Sequence, residues 1–212
     1  LYPRLQPGTE TTTYSTYFAG VASALASDWY RYVVYDPSFD PRTLNRDDFA
    51  LASAQNPFNI STFDPDLSAF RDKGGKLLSF HGMEDYIISS DISTRYYHRV
   101  AETMSMAPAS LDSFYRYFRV SGMGHCAQGN GAWALGMYSL GSTVSALDQN
   151  PDDNVLARIV AWVEHGKAPE YVRGTSVGAT TIFKRKHCKY PARNIYVGPG
   201  NHTDENAWRC QE

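Results

Sequence analysis

The feature that most constrains this chain is an ordered run of segments between Lys76 and His125. Lys76-Leu77-Leu78-Ser79-Phe80-His81 reads as a short buried strand that ends in the loop Gly82-Met83-Glu84-Asp85. Ser89 to Met104 reads as a helix, with Ser90 or Asp91 as its cap and Ile92, Tyr96 and Val100 on one face. Phe114 to Val120 has the aromatic and β-branched character of a second strand. It runs into Ser121-Gly122-Met123-Gly124-His125-Cys126, a glycine-rich loop. Two parallel neighbours need a crossover long enough to hold a helix, so this order predicts a parallel α/β sheet. Both loops then fall at the carboxyl ends of adjacent strands, over one crevice.

The flanking segments are read the same way. A last helix is predicted from about Asn154 to His165, with Leu156, Ile159, Val160 and Val163 at helical spacing and a stop at Gly166. Asp66 to Arg71 reads as a short helix before Gly74-Gly75, and Asn45 as the cap of a helix through about Asn56. Residues 1–20 read as loop, and residues 21–36 as a buried segment whose pattern does not separate helix from strand.

Composition excludes several classes. The 212 residues, 42% hydrophobic, suffice for one sizeable core and a smaller appended layer. Net charge is -2, and the densest basic run, Lys184-Arg185-Lys186, reads as a three-residue stretch of surface loop. That footprint is too small for nucleic acid. No run of 18 apolar residues is present to suggest a membrane helix. The first residue, Leu1, is read as a processed end.

Two glycosylation sequons, at Asn59 and Asn201, point to a secreted, extracellular protein. Cys188 and Cys210 bracket a tail rich in Pro, Gly, Asn and Tyr. A disulfide between them would close a loop of about 20 residues and contribute roughly 3 kcal/mol. Cys126 is then left over, as a bond to another chain, a reactive thiol or a buried structural thiol.

Asp85 and His125 are the candidate catalytic pair. A carboxylate beside an imidazole sets its tautomer and stabilises its charged form, as in a nucleophile–His–acid triad. The alternative for Asp85 is a loop carboxylate capping the helix near Ser89, and for His125 an ordinary loop histidine. Glu84 competes with Asp85 as the acid, and His81 reads as a supporting or packing residue. His81, Glu84, Asp85 and His125 lack metal-ligand spacing, so no metal is assigned. Trp133 and Tyr138 are read as packing residues ahead of pocket-lining ones. In hydrolases of the α/β class the serine precedes the acid and the histidine in chain order. The chain is read as holding the second and third members without a Gly-x-Ser-x-Gly turn.

Gly75-Lys76-Leu77-Leu78, His81-Gly82-x-x-Asp85, Tyr96-Tyr97 and Gly122-Met123-Gly124-His125-Cys126 together resemble the fungal tannase and feruloyl esterase family, over about residues 60 to 212. The resemblance implies the C-terminal part of an α/β-hydrolase fold, with residues 1–62 the end of an inserted lid domain and 63–212 part of the catalytic domain. It implies a nucleophilic serine preceded by a cysteine that pairs with Cys126, both on a separate, disulfide-linked N-terminal chain. It further implies hydrolysis of phenolic-acid esters, gallate or hydroxycinnamate, and a structural calcium in the partner segment. On that reading the chain is inactive by itself. The alternatives are a non-catalytic accessory subunit with a hydrolase-like shell and a peptidase of the same fold.

Overall fold

The computed structural model describes residues 3–10, 12–13, 23–136, 151–178 and 181–212. They form two compact units, Glu10–Asp64 and a second made of Leu1–Thr9 with Pro65–Glu212.

In Glu10–Asp64, α1 (Ala24–Trp29) passes into a π-helical turn, Tyr30–Val34, and α2 spans Arg46–Gln55. A reciprocal cap starts α2. The Asp47 N–H donates to the Asn45 side chain at 2.8 Å, and the Asn45 N–H donates to Asp48 at 2.8 Å. Tyr30 packs with Tyr35, Phe39 and Phe49 at ring-centroid distances of 5.9 to 6.2 Å. Two expectations are corrected here. The described part of residues 21–36 is buried only at Ser27, Tyr30 and Val34, while Leu25 and Tyr32 are exposed. A helix turns successive side chains by about 100°, so one stripe is buried rather than the whole segment. Within residues 1–20, Glu10, Thr12 and Thr13 are helical rather than loop.

From Pro65 on, the larger unit holds α3 (Ser68–Asp72), then β1 (Leu77–Gly82), α4 (Asp91–Thr103), the short α5 (Pro108–Leu111) and β2 (Tyr115–Val120). β1 and β2 are parallel, in register from Leu77 opposite Tyr115 to Gly82 opposite Val120. Alternation along β2 divides its side chains between two layers. Tyr115 and Tyr117 pack with Tyr97 and Val100 of α4. Phe118 and Val120 pack with Met123, Trp133 and Leu135, and with Val155 of α6 (Val155–His165). A parallel pair covered on both faces is the arrangement its apolar strands require. Asn154 caps α6 by accepting from the Leu156 and Ala157 N–H groups, and Gly166 ends it in the left-handed conformation.

Two antiparallel hairpins follow, β3 (Tyr171–Thr175) with β4 (Lys184–Cys188), and β5 (Arg193–Tyr196) with β6 (Trp208–Gln211). The Cys188–Cys210 disulfide ties the second to the first. The tail also docks on the sheet, where the Tyr190 N–H donates to the Tyr117 carbonyl at 2.8 Å. Lys184-Arg185-Lys186 is thus part of a strand, not a surface loop. Two of its cations are held over aromatic faces, Arg185 at 3.8 Å from the Trp208 ring and Lys186 at 5.1 Å from Tyr171, while Lys184 pairs with Asp153 at 3.1 Å.

His187 on β4 is fully buried, and its Nε2–H donates to the Ala132 carbonyl at 2.8 Å. Burial, helped by the nearby Arg185 charge and opposed by that hydrogen bond, lowers its pKa to about 4. A histidine whose folded pKa is depressed is protonated more readily in the unfolded chain. Its neutral form therefore supports the fold above about pH 6.5, and that support is lost as pH falls toward 4. The loss is expected to reach about 3 kcal/mol. In urea denaturation at pH 7, 5.5 and 4, His187→Gln should keep a donor for Ala132 and show a shallower decline than the parent. Parallel pH dependences in the two proteins would remove His187 from this role.

Candidate active site

Asp85 and His125 stand on loops that leave the ends of β1 and β2, and main-chain hydrogen bonds join the two loops. The Met83 N–H donates to the Val120 carbonyl at 2.9 Å, and the Glu84 N–H donates to the Met123 carbonyl at 2.8 Å. Such close approach needs glycine at Gly82, where a Cβ would lie 2.3 Å from the Gly124 oxygen and 2.4 Å from the Met123 oxygen. Gly122 has φ of +70°, with the Gly131 Cα 2.5 Å from where its Cβ would be. The loop closes on itself there, since the Gly131 N–H donates to the Gly122 carbonyl and the Gly124 N–H to the Gln128 carbonyl. His125, Cys126 and Ala127 lie inside that inner closure, with Cys126 left-handed at φ 62°. A non-glycine residue in that region costs on the order of 1 kcal/mol or more, a strain that the surrounding backbone bonds offset.

The pair meets at the loop tips. His125 Nδ1 lies 2.9 Å from Asp85 Oδ2. The Asp85 side chain is 4% exposed and the His125 side chain 40%, so the acid lies beneath a ring that reaches solvent. Asp85 Oδ1 accepts from the Ile87 N–H at 2.8 Å and the Ile88 N–H at 2.9 Å. His81 Nε2 lies 3.1 Å from Asp85 Oδ2. Burial by itself would raise the Asp85 pKa. The hydrogen bonds from His81, the Ile88 N–H, His125 and the Ile87 N–H together outweigh it and bring the pKa down to about 2.

An ionised carboxylate only accepts, so the proton between Asp85 and His125 sits on Nδ1. His125 Nε2 then carries the lone pair, and no hydrogen bond engages it among the described residues. A base fixed in this tautomer by a buried anion, with its other nitrogen unengaged, is equipped to take a proton from a nucleophile and return it to a leaving group.

The remaining candidates separate clearly. Glu84 does not take the acid's place, because its Oε2 accepts from the Asn130 N–H at 3.3 Å and braces the far side of the histidine loop. Cys126 is exposed and unbonded to either other cysteine. Partial desolvation of its sulfur and then the charge of Asp85 push its thiol pKa up, away from thiolate reactivity. Trp133 is packed in the core beside Phe118, and Tyr138 lies outside the described residues. Asn59 and Asn201 are both exposed. Among the described residues no three His, Cys, Asp or Glu side chains stand together as a metal cluster.

One expectation from the sequence needs correction. The string Gly-x-Ser-x-Gly does occur, at Gly174-Thr175-Ser176-Val177-Gly178. It is not a nucleophile turn. Ser176 is buried in the connection between antiparallel strands β3 and β4, and its Oγ accepts from the Phe183 N–H at 2.9 Å. The nucleophile turn needs a strand-to-helix bend with an exposed hydroxyl, and in chain order it precedes the acid.

The Asp85 cradle of Ile87 and Ile88 N–H groups had no signal in the sequence, since any residue supplies a main-chain donor. His81 did have one: it lies four positions before Asp85, across a turn that brings the chain back.

Known proteins match nearly the whole chain. The family model described as tannase and feruloyl esterase matches residues 16–211. Feruloyl esterase C of Talaromyces stipitatus is 55% identical over 216 residues, covering 99% of this chain and 40% of that protein. A probable feruloyl esterase B-1 of Aspergillus oryzae is 53% identical over 212 residues, covering 99% of this chain and 38% of the relative. The crystal structure of feruloyl esterase B from Aspergillus oryzae superposes with a TM-score of 0.89 at 53% identity, covering 100% of this chain and 42% of that one. The chain thus spans about two fifths of the length of the relatives it matches.

Proposed function

The chain belongs to the tannase and feruloyl esterase family, with a fold of the α/β-hydrolase class, and from that premise we propose that it carries the acid and the base of a serine carboxylic ester hydrolase. The single observation that supports this most is the 2.9 Å contact between a buried, ionised Asp85 and His125, whose Nε2 is left for a nucleophile.

The nucleophile is a serine outside these 212 residues. Its hydroxyl attacks the ester carbonyl while His125 Nε2 takes its proton, and the resulting imidazolium is held by Asp85. His125 then returns the proton to the departing alcohol, leaving an acyl-serine. Water, deprotonated by the same nitrogen, hydrolyses the acyl-serine and releases the acid. The substrates are esters of phenolic acids, the class named by the feruloyl esterases it resembles.

The segment that supplies the serine also completes the sheet. β2 has a neighbour on each edge, β1 on one and the Lys189–Tyr190 segment on the other. β1 has only β2 among the described residues, and Leu77 to His81 remain half-buried. Parallel strands with such apolar sequences are covered in complete folds. The cysteine beside the serine pairs with Cys126, which the loop holds exposed next to His125, and the linked segment is a separate N-terminal chain. Residues 1–62 are the end of a lid domain. The structural calcium that the family resemblance implies is placed in the outside segment. The protein is secreted, with Asn59 and Asn201 glycosylated and Cys188–Cys210 formed in an oxidising compartment.

A fluorophosphonate probe on the full protein tests the reading. It should label one serine, on a peptide outside these 212 residues. Under non-reducing digestion that peptide should travel with the one holding Cys126, and a reducing gel shows whether the two lie on separate chains. Probe on a serine within the 212 residues, or none at all, would refute the proposal.

A further inference from the structure

The acid of the triad has a second imidazole on the same oxygen. His81 Nε2 lies 3.1 Å from Asp85 Oδ2, the oxygen that also receives His125 at 2.9 Å. His81 Nε2 is also 3.2 Å from the Ile88 carbonyl, and His81 Nδ1 is 2.7 Å from Ser93 Oγ at the start of α4. Both neighbours of Nε2 only accept, so Nε2 carries the proton and shares it between them. Nδ1 then accepts from the Ser93 hydroxyl, which can donate. The tautomer of His81 is thereby set from both sides, and the ring is anchored to β1 and α4 at once.

Resting on the triad reading above, we infer that His81 is a positioning residue of the reaction: its Nε2–H and the Ile87 and Ile88 N–H groups hold both oxygens of Asp85 and set how strongly that carboxylate acts on His125. The Oδ1 side is fixed by two main-chain donors and can vary little with sequence. On the Oδ2 side the partners among the described residues are side chains. There His81 withdraws charge that would otherwise be directed wholly at His125, and it holds Oδ2 within 2.9 Å of His125 Nδ1. Among the described residues the titratable groups that face Asp85 are His81 from β1 and His125 from the histidine loop, with the Ser93 hydroxyl behind His81 and Cys126, held in the proposed disulfide, beside His125.

The direction of the effect follows from electrostatics. Removing the His81 donor leaves the Asp85 charge undivided, which favours the protonated form of His125. The acid limb of the kcat/KM profile should then move to higher pH. Loss of the anchor should also lower the plateau, because the base is held less exactly toward the nucleophile.

Two polar variants in the full protein separate positioning from mere packing. A Gln amide reaches the place of Nε2, whereas an Asn amide reaches only that of Nδ1. His81→Asn keeps a partner for Ser93 and loses the Asp85 contact. It should lower kcat/KM by about tenfold and raise the acid limb by about half a pH unit. His81→Gln should stay within about threefold of the parent with its limb unmoved. Thermal melts confirm that folded proteins are compared. Equal loss in both variants, or an unmoved limb in His81→Asn, overturns the inference. Should the Asn variant fail to fold, the Gln variant decides: impairment beyond tenfold, or a shifted limb, overturns it. The triad reading fails separately, through an inactive parent or an active His125→Ala, so the two failures cannot be confused.

Discussion

His125→Ala in the full protein is expected to lower kcat on a phenolic methyl ester by at least about 10³-fold, with KM changed little. Among the described residues, the ring supplies the one nitrogen in the site that is fixed in tautomer and left without a hydrogen bond. No neighbouring side chain can take its place. His81 Nε2 is committed to Asp85 and the Ile88 carbonyl, and its Nδ1 to Ser93. Cys126, held in the proposed disulfide, has no free thiol to act as a base, and it sits on left-handed backbone. The folded state should be nearly unaffected, since the His125 side chain is 40% exposed and contributes little to either core cluster. Initial rates with matched thermal melts check this, and a loss under tenfold would exclude His125 as the base.

Asp85→Asn is expected to cost about 10³–10⁴-fold in kcat with almost no change of volume. The physical reason lies in the two sides of the carboxylate. The Ile87 and Ile88 N–H groups demand an acceptor and hold the amide oxygen at the Oδ1 place. The amide NH₂ is forced to the Oδ2 place, where it meets His125 Nδ1 and His81 Nε2. A donor there reverses the tautomer of His125, so its proton moves to Nε2 and the base is lost. The same variant removes the dependence of stability on Asp85 ionisation. In the parent the folded pKa is about 2, below the unfolded value of about 3.9. That contribution is therefore present above about pH 4 and lost as pH falls through 2. A variant that kept more than a tenth of the parent kcat would show that Asp85 neither sets the tautomer nor supports the cation.

Much of the frame was legible from local pattern. The strand at Leu77–Gly82, the helix at Asp91–Thr103, the strand at Tyr115–Val120 and the helix at Val155–His165 each lie within two residues of where periodicity and caps put them. These segments are short, apolar on defined faces and bounded by glycine or capping residues, so local and tertiary preferences agree. The two C-terminal hairpins were not legible. Lys184-Arg185-Lys186 looks like loop because its charges are stabilised by Tyr171 and Trp208, residues distant in sequence. The segment around Leu25 to Tyr35 misled in the opposite way, as its many apolar residues suggest burial while helical geometry sends several outward.

The site divides along the same line. Residue types, their order and the glycines around them put Asp85 and His125 forward as a candidate pair, because a parallel crossover leaves few places for two loop tips to meet. Glu84 still competes as the acid until the family resemblance favours Asp85. Which nitrogen faces the acid, why Glu84 is turned away and why His81 shares the Asp85 oxygen were decided only in three dimensions. Those answers depend on main-chain donors, which are the same for every residue type. They depend also on whether a Gly-x-Ser-x-Gly string lies at a strand-to-helix bend or, as at Ser176, inside a hairpin. A sequence specifies which groups are present and roughly where the chain turns. Hydrogen-bond direction over distances near 3 Å arises only when the turns have closed on one another.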